Sequence, residues 1–283
     1  GPADRSFAET VIRTVLERRY EPARIHGATV PWNFTFHVRF KAGDSLLESS
    51  VKDRLLADAK AGDRAAQFAI GVLGIKDPGG KPPTEYLLAS AQGGVPDAQL
   101  LVGTTLLRQG DASRATPWLE RASRAGLPAA HVRYGLALLA QPQPPYAKVR
   151  ELLSRAPGAE DRWGARHAIE ALACSKEAEV RDPQAALAIA ERAGLERDVD
   201  PLSREAVAAA RATAGDHGGA ARAQRRAIEA ARVLRWSVDE LERRLSDYER
   251  GRPCESAFLP EAMHVVPAGG GAAGDPSGTT EAR

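Results

Sequence analysis

The chain has 283 residues, 43% of them hydrophobic and 27% charged, which is ordinary for a globular protein and enough apolar material to build a core. Its 39 Lys and Arg against 37 Asp and Glu leave a net charge of +2, far short of the one-signed stripe that binding a phosphate backbone requires, so nucleic acid is not an expected partner. No apolar run approaches the length of a membrane span, and the two cysteines, Cys174 and Cys254, match neither a redox CxxC pair nor a zinc framework. Whether those cysteines meet is left open by their separation along the chain.

The first predicted element is a helix from Arg5 to Arg19, with Phe7, Val11 and Val15 on the face turned towards a sheet, flanked by Ala8, Ile12 and Leu16. Tyr20-Glu21-Pro22-Ala23 leaves that helix and His26-Gly27 turns the chain. From Val30 to Lys41 the sequence alternates: Val30, Trp32, Phe34, Phe36, Val38 and Phe40 interleave with Pro31, Asn33, Thr35, His37, Arg39 and Lys41. A period of two sustained that long predicts a half-buried strand. Its unpaired backbone edge would favour addition of another strand. Residues 1–42 are thus expected to form a small α+β module, a helix plus a β-hairpin.

A 32-residue repeat follows. Gly62, Gly94 and Gly126 form one column, Gly71, Gly103 and Gly135 a second, Ala66, Ala98 and Ala130 a third, and Leu55, Leu87 and Leu119 a fourth. Self-similarity at such a period predicts stacked helical hairpins, each burying its apolar face against a neighbour. In the middle unit Pro96 and Asp97 open a helix whose stripe reads Ala98, Leu101, Val102, Thr105 and Leu106, Gly110 and Asp111 break and cap it, and a second helix carries Trp118, Leu119 and Ala122. Ala98 and Gly103 allow close approach of the facing helix, and Gly94 and Gly126 occupy positions that call for a left-handed terminating residue. The register weakens after Gln141, where Pro142, Pro144 and Pro145 intervene.

It resumes at Asp182-Pro183 and Asp200-Pro201, each an N-cap followed by proline at the first helical position. Between Ala206 and Ala231 we expect a tight hairpin turning over Gly215 to Gly219, then a capping box of Ser237 with Glu240 for a last helix through Tyr248. The array spans residues 44–250. Residues 251–283 are expected to be a flexible tail, because Pro267 to Arg283 lacks apolar residues. The fold class is therefore mainly α, an α-solenoid with a small amino-terminal α+β module.

No constellation carries chemistry. The six histidines are scattered, His167 and Glu170 make only an unfinished two-ligand set expected to be solvated, and no nucleophile elbow or phosphate-binding glycine loop occurs. No catalytic, cofactor-binding or metal residue is assigned, and no enzyme is expected. Carboxylates such as Asp239 and Glu242 are explained by ion pairing with Arg243 and Arg244. Tyr86, Trp118 and Tyr134 read chiefly as packing between repeats, a minority of such rings lining a concave groove. Arg121, Arg124 and Arg133 nearby would give that groove a positive character suited to acidic peptides, and a solvated helix face explains them as well.

The motif WLERASRAGLPAAHVRYG, residues 118–135, resembles the Sel-one-like repeat, a relative of the tetratricopeptide repeat, over residues 50–140, and residues 182–250 look like plain tetratricopeptide pairs. Such families are protein-binding scaffolds without catalysis. The string FAETVIRTVLERRYEPARIHGATVPWNFTFHVRF, residues 7–40, resembles the second half of the carboxy-terminal domain of TonB-family energy transducers. That resemblance implies a periplasmic location and pairing of Trp32, Asn33, Phe34, Thr35, Phe36, His37, Val38, Arg39 and Phe40 with an extended peptide, the TonB box, of an outer-membrane receptor. It also implies an inner-membrane helix and proline-rich spacer upstream. The sole methionine is Met263, and we expect the sequence to be a piece of a longer chain.

Overall fold

The structure, a computed structural model, describes residues 24–25, 28–29, 49–234 and 237–254. The chain divides into two units, residues 1–34 and 35–283. In the first, Arg24–Ile25 (β1) pairs antiparallel with Ala28–Thr29 (β2), Arg24 opposite Thr29 and Ile25 opposite Ala28. The predicted helix over 5–19, the predicted strand over 30–41 with its pairing residues 32–40, and all of the predicted tail over 251–283 beyond Cys254 lie outside the described residues. The first four residues of that tail are described, and there the expected boundary at 250 needs correction: Arg252 pairs with Asp247 at 3.2 Å, and Cys254 is buried and disulfide-bonded.

The described part of the second unit is mainly α. Its twelve α-helices are α1 Ser49–Lys60, α2 Arg64–Leu73, α3 Pro83–Gln92, α4 Pro96–Arg108, α5 Ala112–Arg124, α6 Pro128–Leu139, α7 Tyr146–Ser154, α8 Arg162–Cys174, α9 Pro183–Arg192, α10 Pro201–Thr213, α11 His217–Val233 and α12 Asp239–Glu249. Single 3-10 turns occur at Ala159–Asp161 and Leu195–Arg197. Every helix packs on its successor, and the main contacts that skip a helix, α4 with α6, α6 with α8, α7 with α9 and α8 with α10, join next-but-one neighbours. No helix among the described residues is long and apolar enough to cross a membrane.

Local chemistry explains the starts and stops. Asp63, Asp111, Asp161, Asp182, Asp200 and Asp216 each cap a helix by accepting a backbone N–H from the first turn, at 2.7–3.0 Å. Proline opens α3, α4, α6, α9 and α10, where its missing N–H costs nothing. Gly94 and Gly126 take φ of 93° and 87°, a conformation that a side chain would strain, and end α3 and α5.

The other glycine column sets the spacing between helices. A Cβ on Gly71 would lie 2.6 Å from Cβ of Leu87, and one on Gly103 would lie 2.6 Å from Cγ of Leu119. The glycines of α2 and α4 therefore receive the leucines of α3 and α5, which are the residues of the leucine column. At Gly135 the same approach is made to Leu153 and Leu152 of α7. The largest core gathers residues from α6 to α12, and α8 and α10 are buried almost all round.

Three local expectations need correction. Leu101 is 37% exposed, because the buried face of α4 is set by Ala98, Gln99 and Gly103, whose small or bonded side chains let the neighbouring backbones close in. Gly218 and Gly219 lie inside α11; the turn is shorter, and Gly219 N–H is the donor to the Asp216 cap at 2.8 Å. The Ser237–Glu240 capping box is not formed, since α12 starts after Val238 and the Ser237 hydroxyl donates to Asp239 at 3.3 Å.

The two cysteines, left open by the sequence, form a disulfide across 80 positions. It ties the end of α8 to the segment following α12. Both half-cystines are buried.

Candidate functional site

The predicted groove residues occupy three environments. Tyr86 of α3 is 2% exposed and belongs to the core formed by α1, α2 and α3. Its hydroxyl donates to Oδ2 of Asp77 at 2.7 Å, while Lys60 Nζ sits 2.8 Å from Oδ1 and the Gly79 N–H donates to that oxygen at 2.9 Å. The bond to Lys60, then those to Tyr86 and Gly79, hold the Asp77 carboxyl at about 2, and the charged partner pushes the Tyr86 phenol up to about 12. Lys81 lies over the same ring at 4.4 Å. This cluster locks the loop between α2 and α3; Tyr86 lines no open surface.

Trp118 of α5 is half-buried, and the exposed Arg121 guanidinium stacks over its ring at 5.1 Å. Tyr134 of α6, also half-buried, hydrogen-bonds through its hydroxyl to Glu120, which accepts from Arg124 at 2.7 Å. Burial first, then Glu120, pushes that phenol up. Positions 118 and 120 point about 200° apart around a helix. Trp118 and Tyr134 therefore mark different sides of α5.

A second aromatic group was not picked out by the repeat pattern. Trp163 on α8, 37% exposed, stacks on His167 with ring centroids 3.9 Å apart, and Arg133 of α6 covers it at 4.6 Å while pairing with Asp161 at 2.7 Å. The cation and the imidazole thereby fix the indole at the surface.

His167 and Glu170, expected to be solvated, are both buried. His167 Nδ1 donates to the Trp163 carbonyl at 2.8 Å, and burial depresses the imidazole to about 4, so it is neutral at neutral pH. Glu170 is 6% exposed; burial first, then the Glu205 carboxylate of α10, pushes it up to about 8. Glu205 pairs with Arg244 of α12 at 2.7 Å, and Arg166 pairs with Asp200 at 2.9 Å. Arg244 thus pairs with the buried Glu205, and with Glu240 at 3.2 Å, rather than with the Asp239 and Glu242 expected for it. These groups join α8, α10 and α12 through charges that the core encloses. Among the described residues no group of three or more His, Cys, Asp or Glu could hold a metal ion.

A basic cleft lies along one side of the α10–α11 contact. Arg204 and Arg211 of α10 face Arg222 and Arg226 of α11 across a small, solvent-open cleft, with Val207, Ala223 and a single carboxylate, Glu196, completing its lining. Sequence reading missed it because each arginine alone looks like a solvated helix position.

No family model matches the chain, and no curated protein is similar to it.

Proposed function

We propose that this chain is a non-enzymatic protein-interaction scaffold, an α-solenoid of helical hairpins whose exposed faces dock a partner protein. The observation that carries this reading is the order of packing: each helix lies on its successor, with the main further contacts made to the next-but-one helix. Stacked hairpins of this kind present extended surfaces and gain their core from neighbouring units. The interlocked Gly71–Leu87 and Gly103–Leu119 contacts support a true structural repeat. Trp118 under Arg121, and Trp163 under Arg133, are the anchors on offer, since tryptophan and arginine dominate the energy of many interfaces. The Cys174–Cys254 disulfide supports an oxidising compartment, consistent with the periplasm.

A second reading adds an energy-transducer role. It rests on the resemblance of residues 7–40 to the TonB-family domain, in which the strand over Trp32 to Phe40 would add a receptor segment by main-chain hydrogen bonds. Titration with a TonB-box peptide, for the parent chain and for Thr35→Pro, separates the two. Strand addition predicts binding that the proline weakens by tenfold or more, because a ladder donor is removed. Binding that survives Thr35→Pro, or no binding at all, leaves the scaffold reading alone. That reading in turn fails if Trp118→Ala and Trp163→Ala leave the affinity for the docked partner unchanged.

A further inference from the structure

We propose that the cleft between α10 and α11 is a binding site for a phosphate group. This inference stands apart from the docking reading.

Four guanidiniums, always protonated, converge on a space lined by one carboxylate. Two are held in place. Arg204 donates from Nε to the Asp198 carbonyl at 2.8 Å and from Nη1 to the Arg226 carbonyl at 3.0 Å. Those bonds orient it across the α10–α11 contact, but neither acceptor carries a charge. Arg211 pairs with Glu196 and lies 4.0 Å from Asp216. The other two, Arg222 and Arg226, are exposed and have no carboxylate partner among the described residues. They stand one helical turn apart on α11, where like charges oppose helix formation. Elsewhere on the same helix arginines are paired, Arg225 with Glu249 at 2.5 Å and Arg232 with Glu242 at 2.6 Å. On α11 the arginines at the cleft are thus left without the carboxylates that its other arginines have, and the overall net charge of +2 conceals this.

With Glu196 spent on Arg211, three guanidiniums remain uncompensated. A single carboxylate would balance one of them. A phosphate group offers up to two charges and several oxygens to planar forks arranged around it, which is the arrangement that arginine recognises best. Val207 and Ala223 are the only apolar side chains in the lining, so the anion itself is the recognised part and the rest of the ligand would project into solvent. Such a group could be free phosphate or the headgroup of an anionic lipid.

The test uses the whole chain at constant ionic strength, with sodium chloride balancing each addition. Calorimetric titration with inorganic phosphate and pyrophosphate is expected to give saturable binding, absent with acetate and weakened at least tenfold in Arg222→Ala/Arg226→Ala. Both residues are exposed and unpaired, so the double variant should keep its circular dichroism and melting temperature. Flotation with phosphatidylcholine vesicles, with and without phosphatidylglycerol, identifies the source: co-flotation that pyrophosphate competes away assigns the lipid headgroup, and soluble binding without co-flotation assigns the free anion. The proposal is overturned if phosphate and pyrophosphate behave like chloride, or if the double variant binds them as well as the parent does. It is equally overturned if a hexaglutamate peptide saturates the cleft while phosphate does not, which would make this a docking surface for an acidic chain.

Discussion

Glu170 illustrates how one buried residue can set the pH dependence of the whole fold. Its carboxyl is raised to about 8 by burial first and by Glu205 second. In the unfolded chain it titrates near the ordinary value of 4.5. Between those values the folded state holds a proton that the unfolded state has lost, so stability falls as pH rises from about 4.5 to about 8 and stays low above it. Glu170→Gln removes the proton linkage while keeping the shape. Thermal melts should therefore show the variant close to the parent at pH 5 and more stable at pH 9, by on the order of 5 kcal/mol. His167 acts in the opposite direction. Its imidazole is depressed to about 4 by burial, so its contribution is present above the unfolded value of 6.5 and is lost as pH falls towards 4. None of this was legible in the sequence. Glu170, Glu205 and Arg244 lie on α8, α10 and α12, and only the packing of three distant helices encloses them together, whereas the i, i+3 spacing of His167 and Glu170 suggested an exposed pair.

At the scale of the element, the glycine columns were readable because they repeat, and their two roles are physically distinct. Gly94 and Gly126 terminate helices at positive φ. Gly71 and Gly103 sit inside helices and admit a neighbour. Gly71→Ala should destabilise the protein by about 1–3 kcal/mol in urea melts, because the new methyl meets the Leu87 backbone, with its Cα at 3.0 Å and N at 3.1 Å. Intrinsic helix preference favours alanine by about 1 kcal/mol and does not offset that clash. Gly218→Ala should have the opposite sign, stabilising by about 0.5–1 kcal/mol, since its methyl would meet only the Arg222 side chain at 3.5 Å. Equal signs for the two substitutions would contradict this assignment. Helix starts were legible wherever an aspartate or a proline marks them, as at Asp182-Pro183 and Asp200-Pro201. The stripe on α4 was misread at Leu101 because small residues, not large apolar ones, define the contact face. The basic cleft was invisible for a related reason: the Arg204–Arg226 bond that builds it forms only when α10 lies against α11.

At the scale of the molecule, the described helices make a chain of neighbour contacts with one long-range covalent link. Cys174 and Cys254 close a loop of 80 positions, and a cross-link of that span contributes about 2–5 kcal/mol by restricting the unfolded chain. In the proposed stack, coupling passes only between adjacent units, so that contribution should be felt from α8 to α12 and fade towards α1. Native-state hydrogen exchange on the oxidised and reduced protein tests this most directly. The account predicts that reduction lowers the protection of amides in α8–α12 by the disulfide's contribution and leaves those of α1–α4 within error. A uniform loss of protection along all twelve helices would show one globally cooperative core and contradict the proposed stacking.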